Sequence, residues 1–166
     1  GQIPDAAART MRAGSRECLP TDGKVNAALE IVVFDPRHID AARGLWARTE
    51  GVGLSAADEV EPLGRYLARN PRTSFVALKD GTLAGTLLCG HDGRRGLLHH
   101  LAVADECRRS GLGRRLVEAG LKALRDDGIQ KCHLMVFADN PSGLAFWAAI
   151  GAQRRDELQL LSLSTA

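Results

Sequence analysis

Beyond residue 28 short apolar runs bounded by turn residues give way to stretches whose apolar positions recur near every 3.6 residues, and the change from one to the other lays out the elements. Leu29-Glu30-Ile31-Val32-Val33-Phe34 is rich in β-branched residues and closes at Asp35-Pro36, so a strand stops there and a helix starts with Asp35 as its cap. Ile39, Ala42 and Trp46 follow at helical spacing. A second helix is expected over about 58–70, with Val60, Leu63 and Leu67 as its stripe and Pro62 tolerated in its first turn. Residues 73–79 and 82–90 are apolar runs joined by Asp80-Gly81, a pair suited to the positive φ angles of a tight hairpin. A second turn at 91–95 leads into a third strand of the same meander, 96–103.

The clearest stripe is Gly113, Leu116, Val117, Gly120, Leu121 and Leu124. It predicts a helix with Glu118 and Lys122 on its outer face and Gly128 at its C-terminal cap. Residues 131–137 form the next strand, Asn140 caps and Pro141 opens a short helix ending at Gly151, and a last strand falls at 157–162. The order is β, α, α, β meander, α, β, α, β, with no internal repeat. Residues 1–28 lack a sustained period and read as a flexible N-terminal extension, which leaves 29–166 as a single domain.

Composition narrows the function. The 166 residues, 45% apolar and 25% charged, suffice for one ordinary core. Lys and Arg total 22 against 20 Asp and Glu, and the formal charge of +2 gives no field that would draw nucleic acid or an anionic membrane. No apolar run approaches the ~20 residues of a membrane helix, and no secretory signal precedes the domain, so the chain reads as cytoplasmic. Cys18, Cys89, Cys107 and Cys132 stand far apart without metal-ligand spacing; they are expected to be reduced, and no metal site is expected.

The candidate chemistry lies in Leu101-Ala102-Val103-Ala104-Asp105-Glu106-Cys107-Arg108-Arg109-Ser110-Gly111-Leu112-Gly113. A strand ends there in a basic, glycine-containing turn that opens the long helix. Such a turn directs unpaired backbone N–H groups at one spot, and the helix N-terminus adds partial positive charge, an arrangement suited to a pyrophosphate. Arg108, Arg109, Arg114 and Arg115 make the site basic in a nearly neutral chain. A Walker loop would need Gly-Lys-Ser/Thr after the strand, and a Rossmann turn a third glycine with an acidic ribose ligand on the next strand; neither is present.

Arg108-Arg109-Ser110-Gly111-Leu112-Gly113, after a strand ending Leu-Ala-Val, resembles the Arg/Gln-x-x-Gly-x-Gly/Ala signature of the GNAT superfamily of acyl-CoA-dependent N-acetyltransferases. Asn140, Phe146-Trp147 and Gly151 look like its second half, so that the resemblance covers about 30–164. Residues 89–96 with Leu45-Trp46 are further similar to the YpeA-like bacterial branch. The resemblance implies an α/β chain of the mixed-sheet (α+β) type, its mostly antiparallel sheet splayed between the fourth and fifth strands and accompanied by about four helices, with acetyl-CoA as cosubstrate. The diphosphate would rest on amides of residues 109–114, namely Arg109, Ser110, Gly111, Leu112, Gly113 and Arg114. Backbone at Leu101, Ala102 and Val103 would hold the pantetheine and polarise the thioester carbonyl, with Arg108, Asn140 and Trp147 as further cofactor contacts. The reaction implied is direct attack of a primary amine, small-molecule or peptide, on the thioester in a ternary complex.

The match departs from the family at the acid and base. Trp147 stands where many relatives carry a tyrosine acid, and Leu97 and Met135 stand where relatives carry a glutamate base. Tyr66, the only tyrosine, is the one candidate acid, although a thiol with pKa near 8.5 leaves tolerably as thiolate without help. His99, where the arylalkylamine branch places a histidine, is the candidate base; His100 faces the other way in a regular strand, a parity that a bulge would upset. A weak base set favours low-pKa amines. At pH 7 a lysine amine is neutral in about one molecule in two thousand, an α-amine in roughly a seventh. Glu50, Asp58, Glu59 and Asp92 read as solvated acids, and Cys107 and Cys132 as packing. Two other readings stay open at this point: a catalytically degenerate acyl-CoA-binding regulator, and nucleic-acid binding through the arginines. The expected assembly is a monomer or a homodimer, the last strand being able to pair with a second chain.

Overall fold

In a computed structural model of the chain, which describes residues 28–165, five strands form one sheet in the order β1-β2-β3-β4-β5. The extension expected at 1–28 lies, apart from Ala28, outside the described residues. Strands β1 (Leu29–Val33), β2 (Phe75–Lys79), β3 (Thr82–His91) and β4 (Gly96–Val103) are antiparallel neighbours, and β5 (Cys132–Leu134) joins β4 in parallel. The helices are α1 (Ile39–Ala47), α2 (Val60–Arg69), α3 (Leu112–Asp126) and α4 (Pro141–Ala149). This is the mixed, mostly antiparallel sheet with four helices that the resemblance implies.

The punctuation acts as its chemistry dictates. Asp35 caps a short 3-10 turn with Pro36 at its start, and α1 follows. Asp80 and Gly81 take φ of 50° and 78° in the β2–β3 hairpin. Gly128, at φ 80°, ends α3 with a bond from Ile129 N–H to the Leu124 carbonyl at 2.8 Å. On the outer face of α3, Lys122 pairs with Asp126 at 2.6 Å and not with Glu118. Either partner satisfies i,i+4 geometry, and Asp126 is the one it meets.

Two cores sandwich the sheet. On one face α1 and α2 bury Ala42, Leu45, Trp46, Leu63 and Leu67 against Val76, Leu88 and Ala102. On the other, α3 buries Leu112, Leu116, Val117 and Leu124 against Ala77, Leu87, Cys89 and Leu98. The helix lies close: a Cβ on Gly120 would stand 2.7 Å from Leu87 Cδ2, so that glycine lets α3 settle onto β3.

The opening that matters lies between β4 and β5. Their ladder joins Gly96, Leu97 and Leu98 to Cys132, His133 and Leu134 and then stops, while β4 continues along β3 to Val103. β5 is shorter than the expected 131–137 because the chain turns early into the α4 cap, with Asn140 N–H bonded to the Phe137 carbonyl at 3.1 Å. The strand expected at 157–162 is absent. A turn claims its start, where Leu158 N–H bonds the Arg155 carbonyl and Arg155 bonds Glu157, and Leu158, Leu160, Leu161 and Leu163 are exposed. No helix of the described residues is long and apolar enough to cross a membrane.

Candidate active site

The turn between β4 and α3 is built to leave amides free. Arg109 and Gly111 sit at φ of 57° and 78°, and Gly111 occupies the N-cap position without any side-chain cap. The first helical amide to find a carbonyl is that of Arg115, bonded to Gly111 O at 3.1 Å, so the amides of Leu112, Gly113 and Arg114 precede the first intrahelical bond. Ser110 spends its hydroxyl on the Cys107 carbonyl at 2.5 Å, which fixes the turn. Space above Gly111 is open: a Cβ there would meet nothing within 4 Å. Arg109, Ser110, Arg114 and Arg115 are exposed around it. Arg108 turns back, pairing with Asp105 at 3.2 Å and donating from Nε to the Val103 carbonyl at 3.3 Å.

Beside this turn, β4 carries a bulge. Ala102 faces Thr86 and His99 faces Leu88, so His100 and Leu101 together oppose Leu87, with His100 at φ 47°. The bulge overturns the expected parity. His99 and His100 both project onto the α1–α2 face, their ring centroids 6.4 Å apart. His100 packs on Trp46 at 4.6 Å and bonds Asp58 through Nε2 at 2.6 Å; His99 meets Tyr66 edge-on at 6.3 Å. A buried relay holds the irregularity in place: Trp46 Nε1 donates to Thr86 Oγ1 at 2.8 Å, and Thr86 Oγ1 donates to the His100 carbonyl at 2.9 Å.

Asp58 is therefore not the solvated acid expected from its loop position. Its side chain is 12% exposed, and Oδ2 accepts from the Ser55 amide at 2.8 Å while Oδ1 meets His100. Burial would raise this carboxyl, but the bonds from His100 and Ser55 outweigh it and hold the group below the usual carboxylate range. Burial depresses the His99 imidazole below its ordinary value; His100 lowers it further and Asp58 pulls the other way. The Tyr66 hydroxyl is buried without a hydrogen-bond partner and turned toward Gly90, and burial, with Cys89 adding, raises it far above the usual phenol range. Burial also pushes the Cys89 thiol up to about 12 and raises Cys132, so neither is a ready nucleophile.

The remaining predicted residues lie on β4 and at α4. Leu101 and Val103 lie on β4 past the end of the β5 ladder, with Ala102 buried between them. Asn140 caps α4, its Oδ1 accepting from Gly143 N–H at 2.9 Å; Trp147 is half-buried and packs edge-on against Phe146 at 5.2 Å. The segment between α1 and α2 closes in from above. A Cβ on Gly51 would stand 2.5 Å from Asn140 Nδ2, and one on Gly53 would stand 2.8 Å from the Phe137 ring. The sequence carried one signal for this wall, the Ser55-x-x-Asp58 spacing of a capping box, which fixes Asp58 in a turn and aims its carboxylate inward.

A model of the acetyltransferase (GNAT) family matches residues 39–152, which contain the basic turn, the bulge and the α4 cap together. The chain belongs to the GNAT acetyltransferases. It is 28% identical over 132 residues to an acetyltransferase of Pectobacterium atrosepticum, covering 80% of this chain and 93% of the relative. It is 30% identical over 115 residues to N-alpha-acetyltransferase 30 of Schizosaccharomyces pombe, covering 63% and 77%. Its fold matches the PaiA N-acetyltransferase of Thermoplasma acidophilum, solved with coenzyme A, at TM-score 0.66 and 21% identity over 78% of this chain and 92% of the other. Acetyl transfer is accordingly the activity class of this GNAT chain, and the degenerate-regulator reading falls away.

Proposed function

We propose that residues 29–166 work as one cytoplasmic acetyltransferase domain that binds acetyl-CoA and a primary amine together and lets the amine attack the thioester directly. The observation that carries this is the junction of unpaired amides at the α3 N-terminus with the unladdered end of β4. The diphosphate rests on the amides of residues 109–114, with Arg109 and Arg114 adding charge. The pantetheine runs along Leu101, Ala102 and Val103, displacing the long bond from Arg108 to the Val103 carbonyl, and an amide of the bulge polarises the thioester carbonyl. Asn140 and Trp147 stand near the sulfur end. That Cys89, Cys107 and Cys132 are free thiols supports a reducing compartment.

His99 is the base. Burial keeps it neutral at pH 7, so it can take the proton of the acceptor's ammonium, directly or through water, and leave the neutral amine to attack. The thiolate departs without an acid: Trp147 cannot supply a proton, and the Tyr66 hydroxyl points toward Gly90, opposite Leu97 and away from the bulge. With one weak base the preferred acceptor is an amine of low pKa, and the likeness to an N-alpha-acetyltransferase supports a peptide α-amine. The test follows thiol release from acetyl-CoA with an alanine-initiated peptide and with its N-blocked, lysine-containing counterpart. The expected result is faster turnover of the α-amine at pH 7. Equal or faster turnover of the ε-amine would contradict the acceptor assignment, and no amine-dependent release would contradict the enzyme mechanism.

A further inference from the structure

Taking His99 as the base, we propose that Asp58 and His100 form a positioning pair for the acceptor site: their bond fastens the segment between α1 and α2 onto the bulge of β4 and fixes where His99 meets an incoming amine. The segment is pinned at two points. Gly51 and Gly53 abut Asn140 and Phe137 on the far side of the opening, and Asp58 reaches His100 on the near side at 2.6 Å. The pair is largely withdrawn from water, at 12% and 16% side-chain exposure, so screening is weak and breaking it would leave a buried carboxylate with only its Ser55 contacts. His100 in turn packs at a tilt against Trp46, and its carbonyl is held by Thr86, so a pull on Asp58 is felt by the backbone that carries His99.

The pair also sets the charge that His99 experiences. The titratable groups facing His99 are His100 on its own strand, Asp58 ahead of α2 and Tyr66 on α2; β3 presents Leu88 opposite it, and Glu59 is occupied by Arg43 at 2.6 Å. Asp58 and His100 act on His99 in opposite directions, Asp58 raising it and His100 lowering it. Removing one therefore unbalances the other.

The experiment follows the His99 ring carbon resonances by NMR titration of the full chain in wild type, Asp58→Asn and His100→Gln. Loss of the carboxylate should move the His99 midpoint down, and loss of the His100 ring should move it up, each by about half a unit or more. Displacements in the same direction, or none, would overturn the pairing. A purely structural role would lower stability in both variants without opposite shifts. If Asp58→Asn does not fold, Asp58→Ser serves with the same expected sign. Asp58→Asn should also raise KM for the alanine-initiated peptide by about fivefold or more while KM for acetyl-CoA stays within about twofold. An equal rise in both would likewise overturn it. The base reading has its own test in His99→Gln kinetics, so failure of one is distinguishable from failure of the other.

Discussion

The proposed base, His99, takes its character from surroundings that no single residue announces. Its imidazole is depressed chiefly by burial and then by His100, so the folded protein resists protonating it more than the unfolded chain does. The unfolded state binds the extra proton, and stability therefore falls as pH drops below about 6.5, the value for a free histidine, until the lower folded-state value is passed. Denaturant titrations between neutral and acidic pH should show this loss, and His99→Gln should flatten it. The same variant should lower kcat/KM for the amine by about 10²–10⁴, with the acid limb of the wild-type profile lying below 6.5. A wild-type rate in His99→Gln would remove the base assignment. At this scale the sequence was only half legible. Residue types named His99 and Tyr66, but Asp58 looked like any loop acid, because its partner lies 42 positions away and meets it only through the tertiary fold.

Among the elements, the bulge of β4 decides most. The apolar run over 96–103 after a turn predicted a strand, and the strand is there; one extra residue within it turns both histidines to the same face, and the sequence carries no mark of that. Thr86 and Trp46 hold the bulge from β3 and α1. Thr86→Val, nearly the same shape without the hydroxyl, leaves the Trp46 N–H without its acceptor and the His100 carbonyl without its donor. It should cost about 1–3 kcal/mol by chemical denaturation. A change within error would mean that the relay does not secure the bulge. Helix caps and hairpin turns, by contrast, were readable because their chemistry is local: Asp35, Asp80-Gly81, Gly128 and Asn140 all act within a few residues of themselves. The last strand failed for the converse reason. Apolar alternation proposes a strand, but pairing makes one, and a turn at Arg155 captures its start.

Across the whole molecule, the proposed function rests on the meeting of two incomplete structures: a helix whose first amides lack carbonyls and a strand whose far half is paired with β3 but not with β5. One extended anion with an amide-bearing stalk suits both. The GNAT signature over 108–113 pointed to this turn from sequence; the proposed acceptor wall over 51–58 was legible only in its Ser55-x-x-Asp58 cap, because its glycines and buried acid meet Asn140, Phe137 and His100 only in the tertiary fold. The most direct measurement titrates coenzyme A into ¹⁵N-labelled protein and follows the backbone amides. The largest shifts should fall on residues 109–114 and on Leu101 and Val103. Saturable binding that leaves those amides in place while moving others would contradict the account.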